Sequence, residues 1–339
     1  MTTLKISSQI RYWDQSPTRR ISATDRHGRT IEVSYFPLAQ FTGLSKHYPL
    51  PLLYSYRSKK LFLPLREKFM SLERGTIYEV GDMTFEGELP QVQKTVDAPM
   101  FYFVYNMANY YHFIYDTLPY LFSYFNEKKI HPDMKLLVSP PEGQDDLYPF
   151  VWDSLNMLGI SRDDVVFLDS EVMYNLVCVS SSLTHNGLSN CPPHKGVFEI
   201  LSSMESDYIG PERIYISRRT WVNKKKDNIG TDYTERRRCV NEDEMVQIFK
   251  LYGFKEVFCE NLTMEEKIGM FRNAKCIAGP IGGGMCNTIF SPPDTKVFSI
   301  NSPTFMDVNL RFAYSMVHTH LYNFEHTEFV DKQEESVES

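Results

Sequence analysis

Residues 253–300 read GFKEVFCENLTMEEKIGMFRNAKCIAGPIGGGMCNTIFSPPDTKVFSI, and their apolar pattern alternates between short β-type runs and a helical period. KEVFCE is a strand pattern, TMEEKIGMFRNA a helix, KCIAGP a second strand and TKVFSI a third, with the run IGGGMCNTIF before the last. Thr263, followed three residues later by Glu266, has the form of a capping box and fixes where the helix starts. Upstream, RIYIS at Arg213 to Ser217 is another strand, and Asn241 to Tyr252 is another helix, stopped by Gly253. Strands that alternate with helices in this way predict a doubly wound, Rossmann-like sheet.

Working outward, MKLLVSP reads as a strand, LYPFVWDSLNMLG as a helix ending at Gly159, and VVFLDS as a strand, so a second α/β unit precedes the first. The first hundred residues alternate β-type runs with turn signals: TIEVSYF at Thr30 to Phe36, LPLLYSY around Leu50 to Tyr56, and TIYEVG before Asp82. MFYFVY, from Met100 to Tyr105, is a further strand and leads to a helix starting near Asn109, which Pro119 is expected to kink or end. The turn formers NGLSNCPPHK at Asn186 to Lys195 mark the domain boundary. The reading is therefore a first α/β domain over 1–195, a Rossmann-like domain over 196–305, a returning segment over 306–330 and a polar tail over 331–339.

The 339 residues suit roughly two domains at about 150 residues each. With 42% hydrophobic and 23% charged residues, the composition excludes collagen-like, disordered and coiled-coil classes. A net charge of −7 argues against a dedicated nucleic-acid binder, and the 14% aromatic content is expected mostly in the core. MTTLKISSQIRYWDQSPTRR has no signal-like apolar run, and no stretch approaches the ~20 apolar residues of a membrane span, so a cytoplasmic chain without membrane insertion is expected. Cys178, Cys191, Cys239, Cys259, Cys276 and Cys286 form no CxxC pair and no zinc spacing, which predicts reduced, mostly buried thiols.

Three places hold residues suited to chemistry. In Gly279 to Asn287, glycines between a strand and a short helix let backbone N–H groups approach an anion such as a diphosphate, although tight strand–helix packing would use the same glycines. The run lacks the Lys-Ser or Lys-Thr of a P-loop and the dinucleotide fingerprint. Arg218 and Arg219 follow Ser217 at the carboxyl end of a strand, the edge where open α/β sheets bind ligands, and guanidiniums fork onto phosphate oxygens. They begin a stretch to Arg238 whose Lys224 to Lys226 and Arg236 to Arg238 fit a solvated loop better than an RNA-stacking platform. His112 and Asp116 are four apart and share a face on a helix, so a carboxylate can orient an imidazole general base, or the two can make an ordinary structural hydrogen bond. Glu260, at a strand end, suits ribose hydroxyls or plain solvent exposure.

With these pieces in order, the sequence resembles glycosyltransferase family 61, a group once described by a domain of unknown function. The resemblance spans about residues 100 to 300 and rests on NYYHFIYDTLP from Asn109, YISRR from Tyr215, VNEDEM from Val240, GFKEVFCENLTMEEKIGMFRNAKCIAGP from Gly253 and GGGMCN from Gly282. It implies a GT-B fold, two Rossmann-like domains facing a central cleft, and an inverting transfer of sugar from a UDP-sugar co-substrate, with no other cofactor and no metal. It implies that Ser217, Arg218, Arg219 and Gly282, Gly283, Gly284 and Met285 hold the donor diphosphate. Glu260, Thr263 and Asn287 would line the nucleotide pocket, His112 or Asp116 would be the base, and Asn109 and Tyr111 would lie on the acceptor side. The chain departs from the family where Ile281 replaces a common His of a GPHGAG-like turn, and where an insertion separates Arg219 from Val240. No DxD element stands in the expected place. By the same analogy the donor is UDP-xylose first and UDP-N-acetylglucosamine second, and the acceptor is an oligosaccharide or glycoprotein. The missing anchor points to a cytosolic member of bacterial or large-DNA-virus origin, as in algal-virus enzymes that build capsid glycans. A non-catalytic nucleotide-sugar sensor, an RNA-binding protein and, more weakly, an NAD-dependent oxidoreductase are the competing classes.

Overall fold

The computed structural model describes residues 4–12, 18–25, 29–43, 51–64, 69–70, 77–78, 84–103, 107–141, 143–184, 193–219, 237–300, 320–323 and 329–331. Cys191, the boundary NGLSNC, the Lys224 to Arg236 stretch, nearly all of the returning segment and most of the tail lie outside the described residues. The chain is an α/β protein of two compact units. One comprises Met1–Tyr105, Asp116–Glu142 and Ile160–Ser189, and the other Asn106–Tyr115, Gly143–Gly159 and Asn190–Ser339.

The first unit is built on an eleven-stranded mixed sheet. Its parallel part runs Val165–Phe167, Lys135–Val138, Met100–Phe103, Val172–Ser180. From there Val172–Ser180 turns antiparallel onto Glu32–Phe41, and the hairpin strands Leu53–Ser55 and Lys60–Leu63 continue the sheet. The strand predicted over Thr30 to Phe36 extends to Phe41, past Pro37 and through Leu38 at φ 51°. Apolar side chains account for this core: Phe36, Phe41, Phe101, Tyr102, Leu136, Leu137 and Val177 are all buried. Helix Leu121–Lys128 ends beside a capped turn, where Lys128 Nζ lies 2.9 Å from Asp164 and Asp164 closes a capping box with Ser161.

The second unit carries a five-stranded, wholly parallel sheet in the order Lys255–Val257, Arg213–Ile216, Cys276–Pro280, Lys296–Ile300, His320–Asn323. In chain order this is 2-1-3-4-5, one of the two common doubly wound orders. Helix Glu242–Leu251 covers the sheet through Val246 and Phe249, which pack with Tyr215, Phe254, Ala278 and Ile300. Helix Met264–Asn273 starts at the predicted capping box and buries Met264, Ile268 and Phe271. The helices predicted to stop at Gly159 and Gly253 do so, both glycines taking positive φ. Strand Cys276–Pro280 lies close to its neighbour: a Cβ on Gly279 would stand 2.5 Å from the Ile216 carbonyl oxygen, so no larger residue fits.

The segment after Met100–Phe103 is not one regular helix. A three-residue α-turn, Tyr110–His112, opens into a π-turn over Phe113–Thr117, tightens to a 3₁₀ turn at Leu118–Tyr120, and only then runs as the α-helix Leu121–Lys128. Pro119 has no N–H to return to the carbonyl four residues back, so the α-ladder cannot pass through it unbroken.

The hydrogen bond from Lys128 is the main cause that holds the Asp164 carboxyl down at about 2. A carboxyl lowered on folding adds stability above its unfolded pKa of about 3.9 and loses it as pH falls through the folded value. Asp164→Asn is therefore expected to flatten the fall in stability between about pH 4 and pH 2, which urea melts across that range will measure.

Candidate functional site

In a 2-1-3-4-5 sheet the connections leave strands 1 and 3 toward opposite faces, and the crevice at their carboxyl ends is where ligands bind. Here those ends carry Ser217 to Arg219 and Ile281 to Gly284, so the fold brings the two predicted anion-binding runs together.

The arginine run is held from below by a buried carboxylate. Glu242, the first residue of helix Glu242–Leu251 and 1% exposed, accepts the backbone N–H of Arg218 at 2.7 Å on Oε1 and the Ser217 hydroxyl at 3.3 Å. Ser217 Oγ in turn accepts the Arg219 N–H at 3.2 Å. Burial pushes the Glu242 carboxyl above its ordinary range, opposed by the Arg218 N–H, and its Oε2 has no hydrogen-bond partner among the described residues.

The two arginines part at their side chains. Arg218 is buried and turns toward the glycines, donating from Nη1 to the Ile281 carbonyl at 3.1 Å. Its guanidinium occupies the space a side chain at residue 282 would fill, since a Cβ there would collide with Nη1 and stand 3.0 Å from Cζ. Arg219 turns to carboxylates instead, donating from Nη2 to Glu256 at 2.6 and 2.7 Å and pairing with Asp243. Gly284 is hemmed in, since a Cβ there would stand 2.8 Å from Ile216 Cγ2, whereas a Cβ on Gly283 would meet nothing within 4 Å among the described residues.

The turn continues as a 3₁₀ helix, Gly283–Phe290, in which Met285 and Asn287 are buried. Asn287 donates from Nδ2 to the Gly284 carbonyl at 2.9 Å and accepts the Tyr110 hydroxyl on Oδ1 at 2.5 Å. Glu260 sits half-buried on the 3₁₀ turn Cys259–Asn261. Thr263 is engaged as the helix cap: its hydroxyl accepts the Glu266 N–H at 3.2 Å, and Glu266 accepts the Thr263 N–H at 2.8 Å.

His112 ends the short α-turn that Asn109 caps, the Asn109 side chain accepting the His112 N–H at 3.2 Å. Its ring lies against Tyr111, 4.9 Å between centroids, and Tyr111 stacks on Tyr115 at 5.7 Å. Asp116 falls in the π-turn, so the α-helical register predicted for the His112–Asp116 pair does not hold there. The Asp116 carboxylate is 1% exposed and accepts the Thr184 hydroxyl at 2.9 Å.

Tyr110, Glu242 and Lys267 escape the sequence reading. Lys267 is 2% exposed, with its ammonium 4.4 Å from the centre of the Tyr110 ring. Burial pulls its pKa down, while Cys259, Cys286, Asp153 and Glu260 act the other way. The signal was present: Met264, Lys267, Ile268 and Phe271 follow the i, i+3, i+4, i+7 spacing of a buried stripe, which places the lysine inside. Of the six cysteines, Cys178, Cys239, Cys259, Cys276 and Cys286 are described, all as free thiols, and all but Cys276 are buried. Among the described residues no group of three His, Cys, Asp or Glu is disposed to hold a metal, and no helix is long and apolar enough to cross a membrane.

Removing the buried acceptor leaves the Arg218 N–H and Ser217 hydroxyl unsatisfied. Glu242→Ala is expected to lower unfolding free energy by about 1–3 kcal/mol in urea melts. Glu242→Gln, which keeps an acceptor and sheds a charge that burial disfavours, should cost markedly less.

A search of curated proteins found no match. The sequence model of the family Glycosyltransferase 61 matches residues 110–298, more than half of the chain. That span opens on the turn bearing His112 and closes within the last strand but one of the parallel sheet, taking in Arg218, the capped helix and the glycine turn on the way. The chain thus belongs to glycosyltransferase family 61 and is a glycosyltransferase.

Proposed function

We propose that the protein is an inverting transferase of GT-B type that moves a sugar from a UDP-sugar to a hydroxyl of an oligosaccharide or glycoprotein, UDP-xylose being the first choice and UDP-N-acetylglucosamine the second. The observation that carries this reading is the meeting of Arg218 with the glycine turn at the crevice of the 2-1-3-4-5 sheet. A diphosphate there would take backbone N–H groups of Gly282 to Gly284 and the Arg218 guanidinium, with Met285, whose own N–H closes onto the Gly282 carbonyl, completing the turn, and would approach over Gly283, where no described side chain stands. Arg219, forked onto Glu256 and paired with Asp243, keeps the edge ordered. Glu260 would meet the nucleoside, with Thr263 and Asn287 lining the same pocket.

In the reaction, His112 accepts the proton of the acceptor hydroxyl as that oxygen attacks the anomeric carbon. The bond from that carbon to the β-phosphate oxygen breaks, and UDP leaves with the electron pair, which inverts the anomeric centre. Charge that develops on the diphosphate is met by Arg218 and by fixed backbone dipoles, with no metal ion invoked. Asp116, buried on Thr184, supports the turn, and half-buried Asn109 and Tyr111 border the acceptor.

Thermal-shift binding of UDP, UDP-xylose, UDP-N-acetylglucosamine, UDP-glucose, GDP-sugars and NAD, with Mn²⁺ or EDTA, tests the donor site. One UDP-sugar should stabilise the protein specifically and indifferently to EDTA, whereas folded protein that binds none of them removes the assignment. His112→Ala is expected to slow transfer about 10²–10⁴-fold while donor affinity stays within about twofold. Undiminished transfer by that variant would show that the base lies elsewhere.

A further inference from the structure

Tyr110 and Lys267 have no part in the chemistry just described, yet they meet directly behind the glycine turn. The Tyr110 hydroxyl donates to Asn287 Oδ1 and lies 3.4 Å from Met264 Sδ, and Asn287 passes the contact on to the Gly284 carbonyl through Nδ2. The Tyr110 ring is fixed on two sides. The Lys267 ammonium lies over its face at 4.4 Å, and Phe150 packs with it in a T-shaped pair with centroids 5.3 Å apart. Burial raises the Tyr110 hydroxyl well above its ordinary range, so it stays protonated and able to donate.

The turn that starts at Tyr110 is too short to hold its place by its own backbone hydrogen bonds. It is three α-helical residues long, capped by Asn109 and followed by a π-turn. One turn of helix fixes several backbone dihedrals for very few hydrogen bonds, so its position must come from side-chain contacts. The geometry points to Tyr110 as a positioning residue: through Asn287 it ties the turn bearing His112 to the backbone of the glycine turn at Gly284, with Lys267 clamping its ring. Base and donor site are then set by one chain of contacts within a single unit. This rests on the roles proposed above for His112 and the glycine turn.

Tyr110→Phe removes the hydroxyl alone and tests the link. With the UDP-sugar that the wild type uses, kcat should fall about 10–100-fold, since small misplacements of a reacting group cost that much, while donor KM and calorimetric UDP affinity stay within about twofold. Lys267→Met, which keeps the stem and removes the charge over the ring, should shift kcat in the same direction by less. Amide hydrogen exchange at His112 and Phe113 should quicken about fivefold or more in Tyr110→Phe. Full kcat in Tyr110→Phe, or kcat and donor affinity lost in proportion, overturns the positioning role. If the wild type transfers sugar from no UDP-sugar, the functional reading fails by itself. The exchange measurement then still decides the link: quickened exchange supports it, and unchanged protection at His112 and Phe113 overturns it.

Discussion

The close approach of strand Cys276–Pro280 to strand Arg213–Ile216 is the constraint on which the site depends. Gly279 permits it, because a side chain there would press on the Ile216 carbonyl. Once the two strands lie side by side in parallel register, the residues that follow each one emerge at the same edge, and Arg218 reaches the Ile281 carbonyl. Gly282 is then required by the arginine, and Gly284 by Ile216. Of the three, only Gly283 has no neighbour among the described residues that would exclude a side chain. Of three consecutive glycines, two serve packing and one leaves room.

The same edge shows how charges of one sign are kept apart. Two adjacent guanidiniums would repel if both faced the glycines. Glu242 holds the backbone between them, while Glu256 and Asp243 draw Arg219 away. The acidic residues beside the arginines therefore sort them, leaving Arg218 on the turn. Of these carboxylates Glu242 is buried, Glu256 half-buried and Asp243 exposed, and hydrogen bonds that involve a charged group are stronger than neutral ones.

Much of this was legible in the sequence, and the reasons for the remainder are physical. Alternating strand and helix periods between Arg213 and Ile300 gave the parallel sheet, and Thr263 with Glu266 gave the helix start, because both signals are local. The order of the strands was not local and could not be read. The π-turn at Phe113–Thr117 was missed because His112 and Asp116 at spacing four fit an α-helix equally well, and the effect of Pro119 upstream depends on where the chain must go next. Arg218 and Arg219 are neighbours of one type, so nothing in their spacing tells which one faces the crevice. The bond between Tyr110 and Asn287 joins residues 177 positions apart, beyond the reach of any periodicity. Lys267 was readable from its place on an apolar stripe, but a lysine in a helix is ordinarily taken to point outward.

The two units are interleaved along the chain, which passes from one to the other at residues 105/106, 115/116, 142/143, 159/160 and 189/190. The parallel sheet thus shares its unit with two short pieces from the first half of the sequence, one bearing Tyr110 and His112 and the other Phe150. A gene fragment starting near residue 196 would encode every strand of that sheet and neither of those pieces. The unit with the parallel sheet is therefore not a cassette that recombination could move between proteins by one continuous exchange without carrying parts of the other unit. Its inheritance is bound to that of the interleaved pieces 116–142 and 160–189.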